Sequence, residues 1–65
     1  MKGVVKTLKP QGFGFITPEG ETSDLFFHSK ELKGVMFEEL REGDMVTFEK
    51  AQGPKGPNAV NVSRA

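Results

Sequence analysis

QGFGFI, residues 11–16, is the stretch of this 65-residue chain that decides its fold. Successive side chains of a β-strand point to opposite faces of the sheet. Phe13 and Phe15 therefore share one face, and Gly14 and Ile16 share the other. A glycine between two aromatic residues also suits a strand of a tightly curved barrel, in which one inward position has no room for a side chain.

A second short strand is predicted at LFFH, residues 25–28. By the same alternation, Phe26 and His28 lie opposite Leu25 and Phe27. If the face with the aliphatic residues forms the core, four flat rings of the two strands stand on the solvent side. Such a row adds nothing to the stability of a soluble protein, whereas a protein that stacks on unpaired bases requires it.

Turn signals separate short runs rich in valine, phenylalanine, threonine and isoleucine along the whole chain. The runs predict a single all-β domain over residues 1–65, a small five-stranded antiparallel barrel that leaves no exposed sheet edge. Val5 and Leu8 have an odd spacing, so the first strand requires a bulge for both to face inward. The strands are expected at about 3–9, 13–17, 24–28, 44–51 and 58–63.

The predicted core consists of the apolar residues that share the inward face of these strands or anchor the connections between them. The core members are expected to be Val5, Leu8, Ile16, Leu25, Phe27, Leu32, Leu40, Val46, Phe48, Val60 and Val62.

Residues 29–43 interrupt the strand pattern, and Ser29–Leu32 reads as one helical turn with Ser29 as its N-cap.

Composition argues against several classes of function. The chain contains no cysteine, so it has neither disulfides nor thiolate metal sites, and we expect a cytoplasmic protein. No apolar run approaches the ~20 residues of a membrane span, so no membrane contact is expected. His28 is the single histidine and has no obvious nucleophile or ligand set beside it. We therefore expect no enzymatic activity, no metal and no cofactor.

The charges are unevenly distributed although the net charge is zero. Neutrality counts against nucleic-acid binding, because the usual electrostatic footprint is strongly basic. Residues 1–17, however, carry three lysines and no acid, while residues 18–50 hold all nine acids. The candidate contacts to a phosphate backbone are Lys6, Lys9 and Lys55.

Several of these segments resemble the cold-shock domain family. Residues 12–16 and 25–28 are similar to its two ribonucleoprotein motifs, and residues 3–6 and 56–62 to its first and last strands. The resemblance implies a barrel of the oligonucleotide-binding (OB) type that binds single-stranded RNA and DNA with little sequence preference. Many members act as RNA chaperones. A monomer is the default expectation, and a strand-swapped dimer stays possible.

The first strand departs from the family pattern. Members usually carry Lys-Trp-Phe-Asn there, whereas Thr7, Leu8 and Lys9 follow the lysine here. Gln11 replaces a usual lysine, and Ser29 stands where many members have a phenylalanine. A lost stacking site is worth roughly 1–3 kcal/mol, which corresponds to about one to two powers of ten in affinity.

Two interpretations of the aromatic residues remain open at this point. In the first, Phe13, Phe15, Phe26 and His28 stack on bases, extended by Phe37; alternatively, Phe37 packs its loop against the barrel. In the second, the same barrel is a protein-interaction module that binds nucleic acid weakly or not at all, since an exposed aromatic patch also suits a protein partner.

Overall fold

The computed structural model describes residues 1–54 and 56–65, and most of the chain forms β-strands. All five predicted strands are present, with ends within two residues of those expected. Two short 3-10 turns, Ser29–Glu31 and Phe37–Glu39, lie in the long connection between the third and fourth strands. The strands are β1 Lys2–Lys9, β2 Phe13–Pro18, β3 Leu25–His28, β4 Met45–Gly53 and β5 Gly56–Arg64.

The strands close into a barrel in the order β1-β2-β3-β5-β4. Four junctions are antiparallel, as predicted, but β3 and β5 run parallel and meet at the pair Phe26 and Asn58. The predicted five-stranded barrel is confirmed, and its one parallel junction has a geometric reason. Strand directions must alternate around an antiparallel ring, and a ring of five strands cannot alternate throughout.

The core lies inside this ring and is built mainly from alternate residues of the strands. Ile16 and Phe27 are fully buried, whereas their chain neighbours face outward or are half-buried. Gly14 is the close-contact position predicted from the sequence. A Cβ there would lie 2.5 Å from the carbonyl oxygen of Thr7 and 2.9 Å from the Phe27 ring. The buried hydrophobic residues are Val5, Ile16, Leu25, Phe27, Leu40, Val46, Phe48, Ala59 and Val62.

A bulge in β1 confirms the argument from the spacing of its apolar residues. The pairing of β1 with β2 shifts between Val5 and Thr7. The shift places Leu8, three residues after the buried Val5, against the core as a partly buried residue. Without it, the two side chains would have opposite orientations.

A second irregularity, in β5, was not predicted. The pairing of β4 with β5 shifts between Thr47 and Glu49. Opposite this shift, Asn61 has a left-handed φ of 52°. As a result Ala59 is buried together with Val62, while Val60 is only half-buried. The assignment of Val60 to the core was therefore wrong. The bulge lies between Val60 and Val62, so the inward and outward side chains do not alternate regularly across it.

The long connection between β3 and β4 is fastened to the barrel by its own backbone. Leu40 is buried in the core. The Gly43 amide donates to the Val5 carbonyl at 2.7 Å, and the Val5 amide donates to the Asp44 carbonyl at 2.9 Å. Nearer the start of the connection, Leu32 forms an isolated parallel bridge with Val62 of β5. In the described part of the chain, no helix has the length and apolar character to cross a membrane.

Candidate nucleic-acid interface

Three phenylalanine rings form a continuous outer surface on β2 and β3. Phe15 is the register partner of Phe26, and Phe13 that of His28. The centroid of the Phe13 ring lies 5.5 Å from that of Phe26 and 6.2 Å from that of Phe15. The Phe15 and Phe26 centroids are 6.0 Å apart, nearly edge to face. We call these three residues the aromatic triangle, and it stands on the face predicted from the alternation.

The triangle is accessible rather than covered. Phe26 is 38% exposed, and Phe13 and Phe15 are half-buried by each other and by neighbouring strands. Edge-to-face contacts of this kind stabilise the rings against each other, because the positive edge of one ring meets the negative face of the next. The arrangement therefore holds flat apolar surface towards solvent in a fixed geometry.

His28 extends the same surface and is held by a backbone hydrogen bond. The Lys30 amide donates to Nδ1 of His28 at 3.1 Å, so the neutral ring carries its proton on Nε2. This bond also caps the turn Ser29–Glu31. The prediction that Ser29 is the N-cap was wrong, since the Nδ1 atom of the preceding residue takes that role. The exposed Nε2–H is left as a donor towards a ligand.

Lys6 lies in an ion pair at the margin of the surface. Its Nζ is 3.1 Å from Oδ2 of Asp24, whose Oδ1 accepts a hydrogen bond from the Thr17 hydroxyl at 2.8 Å. The Thr17 hydrogen bond and then the Lys6 ammonium lower the pKa of Asp24 below its ordinary value. The cation predicted to contact phosphate is thus partly neutralised within the protein.

Lys9 and Lys55 are the other two lysines predicted to contact phosphate. Lys9 is exposed at the end of β1 and is the register partner of Phe13, so it borders the triangle. Lys55 lies outside the described residues.

At the position of the missing tryptophan, Thr7 pairs with Phe15 in the β1–β2 ladder. The departure from the family pattern therefore falls beside the triangle and removes a ring that would adjoin it.

Phe37 is placed apart from the triangle. It is partly buried and packs against the core, with its ring centroid 6.5 Å from that of Phe27. This position favours the packing interpretation of Phe37 over base stacking. Two hydrogen bonds between Met36 and Glu39 close its turn: the Met36 amide donates to Oε1 of Glu39 at 2.9 Å, and the Glu39 amide donates to the Met36 carbonyl at 2.9 Å.

A groove beside the triangle was missed by the sequence argument. It has a volume of about 510 Å³ and is mainly apolar. Residues 53–57, Gly-Pro-Lys-Gly-Pro, are one of the turn signals of the sequence, but nothing in that pattern shows that β5 returns beside β3. The lining residues are Phe26, Gly53, Pro54, Gly56, Pro57 and Asn58.

Comparison with known proteins decides the family. The chain matches the 'Cold-shock' DNA-binding domain over residues 1–65. It belongs to the cold-shock domain family. The members of this family bind nucleic acids, and their five-stranded barrel is of the OB type, as the sequence resemblance implied.

Individual relatives agree with this assignment. The chain is 48% identical to the cold shock-like protein CspJ of Salmonella typhi over 61 residues, 92% of this chain and 87% of that protein. It is 44% identical to the major cold shock protein of Micrococcus luteus over 63 residues, 95% of this chain and 94% of that protein. A solved structure, drosophila Unr CSD456, matches with a TM-score of 0.81 at 28% identity. That match covers 98% of this chain and 26% of the solved one, so this chain spans about a quarter of its length.

Proposed function

We propose that this cold-shock domain binds single-stranded RNA and DNA with low sequence specificity by stacking bases on the aromatic triangle and His28. The observation that carries the proposal is the mutual contact of Phe13, Phe15 and Phe26 on the outer face of the barrel. Every base has a flat π-surface, so stacking selects unpaired strands without selecting a sequence.

The energetics fit a weak and rapidly exchanging binder. Each stacked base is worth roughly 1–3 kcal/mol, so a few stacks supply several kcal/mol before the cost of ordering the strand. Pairing within a duplex is stabilised by about 1.4 kcal/mol per stacking step. Protein–base contacts with a free energy comparable to that of duplex stacking compete with base pairs without trapping the strand. An RNA chaperone requires this property.

The electrostatic contribution is expected to be small. Lys9 and Lys55 are proposed to contact phosphates, with Lys6 joining only when it leaves Asp24. For single strands, the logarithm of the affinity falls by about 0.7 per phosphate contact for each tenfold rise in salt. Three contacts at most give a shallow salt dependence compared with that of a basic protein.

The test is a fluorescence titration of labelled hexathymidine into the wild-type protein and the variants Phe15→Ala and Phe26→Ala. Each variant should weaken binding by about ten- to a hundredfold while the barrel stays folded. Met45→Ala is a matched control. Met45 is 39% exposed and Phe26 is 38% exposed, but Met45 lies on β4 outside the triangle. Full affinity in both phenylalanine variants would refute the stacking surface. No binding by the wild type would favour the protein-interaction alternative.

A further inference from the structure

The turn Ser29–Glu31 continues the surface of the aromatic triangle beyond His28. Lys9, Phe13 and His28 form one row across β1, β2 and β3, because Lys9 pairs with Phe13 and Phe13 pairs with His28. The Lys30 amide donates to Nδ1 of the His28 ring at 3.1 Å, so Lys30 lies directly beyond the end of this row. A nucleic-acid strand that leaves the triangle past His28 therefore meets this turn next.

The backbone of this segment is fixed to the barrel on two sides. The Ser29 amide donates to the carbonyl of Gly12, the residue before β2, at 2.9 Å. The Lys33 amide donates to the Val62 carbonyl at 2.7 Å, and the Ser63 hydroxyl donates to the Lys33 carbonyl at 3.2 Å. The side chains of the segment thus project from a backbone with a defined position.

Two lysines of the segment are exposed cations without an acidic partner. Both Lys30 and Lys33 are exposed. Within residues 1–54 and 56–65, the ion pairs involve Lys6, Lys50 and Arg64 as cations, and neither lysine of the segment takes part in one. A phosphate that approaches these two lysines displaces no carboxylate, in contrast to one that approaches Lys6.

The opposite end of β2 and β3 has the reverse charge character. Glu19, Glu21 and Asp24 lie in the connection between these two strands and are exposed. Two lysines reach this connection and both are paired, Lys6 with Asp24 and Lys50 with Glu21. Exposed carboxylates repel a polyanion and unpaired cations attract it, so the two ends of the stacking surface differ in how they receive a longer strand.

Two carboxylates also lie at the cationic end, but they do not cancel its charge. Glu31 is half-buried in the turn. Glu42 is occupied by the backbone, since its Oε2 accepts a hydrogen bond from the Leu8 amide at 3.3 Å. The exposed lysines of this end outnumber the two carboxylates, and they are Lys9, Lys30 and Lys33.

We propose that Lys30 and Lys33 form a phosphate-binding track that holds a single strand after it has left the aromatic triangle past His28. The inference rests on the proposed function, since the stacked bases bring the strand to this end of the surface. The two lysines add to the cations assigned to the stacked part of the strand. They also make the site directional, because one end of a longer strand gains contacts while the other end meets carboxylates.

The experiment compares labelled tetrathymidine with the same strand carrying three abasic nucleotides at its 5′ end or at its 3′ end. Tetrathymidine offers one base to each ring of the triangle and one to His28, and an abasic tail adds phosphates without a base to stack. In the wild type, one of the two tails should raise the affinity about three- to tenfold at low salt, and the other should not raise it. With the favourable tail, the slope of the logarithm of affinity against the logarithm of salt concentration should become more negative by about 0.7 for each phosphate contacted.

Variants of the two lysines assign the effect. The double variant with Lys30→Gln and Lys33→Gln should bind tetrathymidine within about twofold of the wild type and lose the gain from the tail. The double variant with Lys30→Arg and Lys33→Arg keeps the charges and should keep the gain. Lys2→Gln is the control for the loss of a lysine charge, since Lys2 is exposed at the opposite end, where its carbonyl accepts from the Glu19 amide. It should leave the gain intact.

Hexathymidine keeps the failure of the inference distinguishable from that of the proposed function. If hexathymidine does not bind the wild type, both are overturned. If it binds but neither tail raises the affinity, or both tails raise it equally, the directional track is refuted and the proposed function stands. A gain that survives in the double glutamine variant would also refute the track, because other groups would then hold the phosphates.

Discussion

Lys6 and Asp24 form an ion pair beside the aromatic triangle, with 3.1 Å between Nζ and Oδ2. A phosphate that approaches Lys6 must displace this carboxylate. The carboxylate also adds a negative charge near a surface proposed to bind a polyanion. The pair therefore withholds one of the few cations available to the strand.

Asp24→Asn is expected to strengthen binding of hexathymidine by about two- to fivefold at low salt, because it frees Lys6 and removes a repulsive charge. The slope of the logarithm of affinity against the logarithm of salt concentration should become more negative by about 0.7, as for one additional phosphate contact. Titrations over a range of salt concentrations measure both. Glu19→Gln removes an equal charge without touching the pair and should have a smaller effect. Weaker binding by Asp24→Asn would instead indicate that Asp24 accepts a hydrogen bond from a base.

The lowered pKa of Asp24 predicts a loss of stability in acid. The folded state holds the proton less tightly than the unfolded chain, whose aspartates titrate near the ordinary value of 3.8. The contribution to stability is therefore fully present above that value and disappears as the pH falls through the lower pKa of the folded state. Since the Thr17 hydroxyl is the largest cause of the shift, Thr17→Val should return the pKa of Asp24 towards 3.8.

A pH titration of the Asp24 carboxyl carbon by NMR measures this shift directly. Ser63→Ala is the control, since the Ser63 hydroxyl donates to the Lys33 carbonyl and not to a carboxylate. It should leave the titration unchanged. An identical Asp24 titration in the wild type and Thr17→Val would refute the assignment of cause.

The sequence sufficed for the barrel because its strongest signals are local. Alternation around Gly14 and Phe27 separated the inward from the outward face, and the odd spacing of Val5 and Leu8 predicted the β1 bulge. The β5 bulge was missed because Val60 and Val62 alternate perfectly in sequence. Only the left-handed backbone at Asn61 shows that Ala59 replaces Val60 in the core.

The candidate interface was only partly predictable for a related reason. Phe13, Phe15 and Phe26 were found because each lies on a strand with a clear period. Asn58 was not, since its position beside Phe26 depends on the parallel junction of two strands about thirty residues apart in the chain. The pairing of Lys6 with Asp24 likewise joins β1 to the segment before β3, which no local pattern encodes.

Gly14→Ala should destabilise the barrel severely. The added methyl would lie 2.5 Å from the Thr7 carbonyl oxygen, a backbone atom, and 2.9 Å from the buried Phe27 ring. Moving the Thr7 carbonyl would distort the β1–β2 ladder, and moving the Phe27 ring would disturb the packed core, so the free energy of unfolding should fall by about 1–3 kcal/mol or more. Urea denaturation measures the loss. Gly20→Ala is the comparison, because nothing lies within 4 Å of that Cβ and only its left-handed φ of 77° opposes it. A milder effect at Gly14 than at Gly20 would contradict the packing argument.

Phe37→Ala should separate packing from base stacking in the long connection. The ring packs against the core beside Phe27, so its removal should lower the free energy of unfolding by about 1–3 kcal/mol, somewhat less than for a fully buried phenylalanine. Affinity for hexathymidine, measured where the variant is fully folded, should change less than twofold. Phe37→Leu keeps apolar volume without an aromatic face, and it should restore most of the stability and leave binding unchanged. A loss of affinity in Phe37→Leu as large as that in Phe26→Ala would show that Phe37 leaves the core to stack on a base.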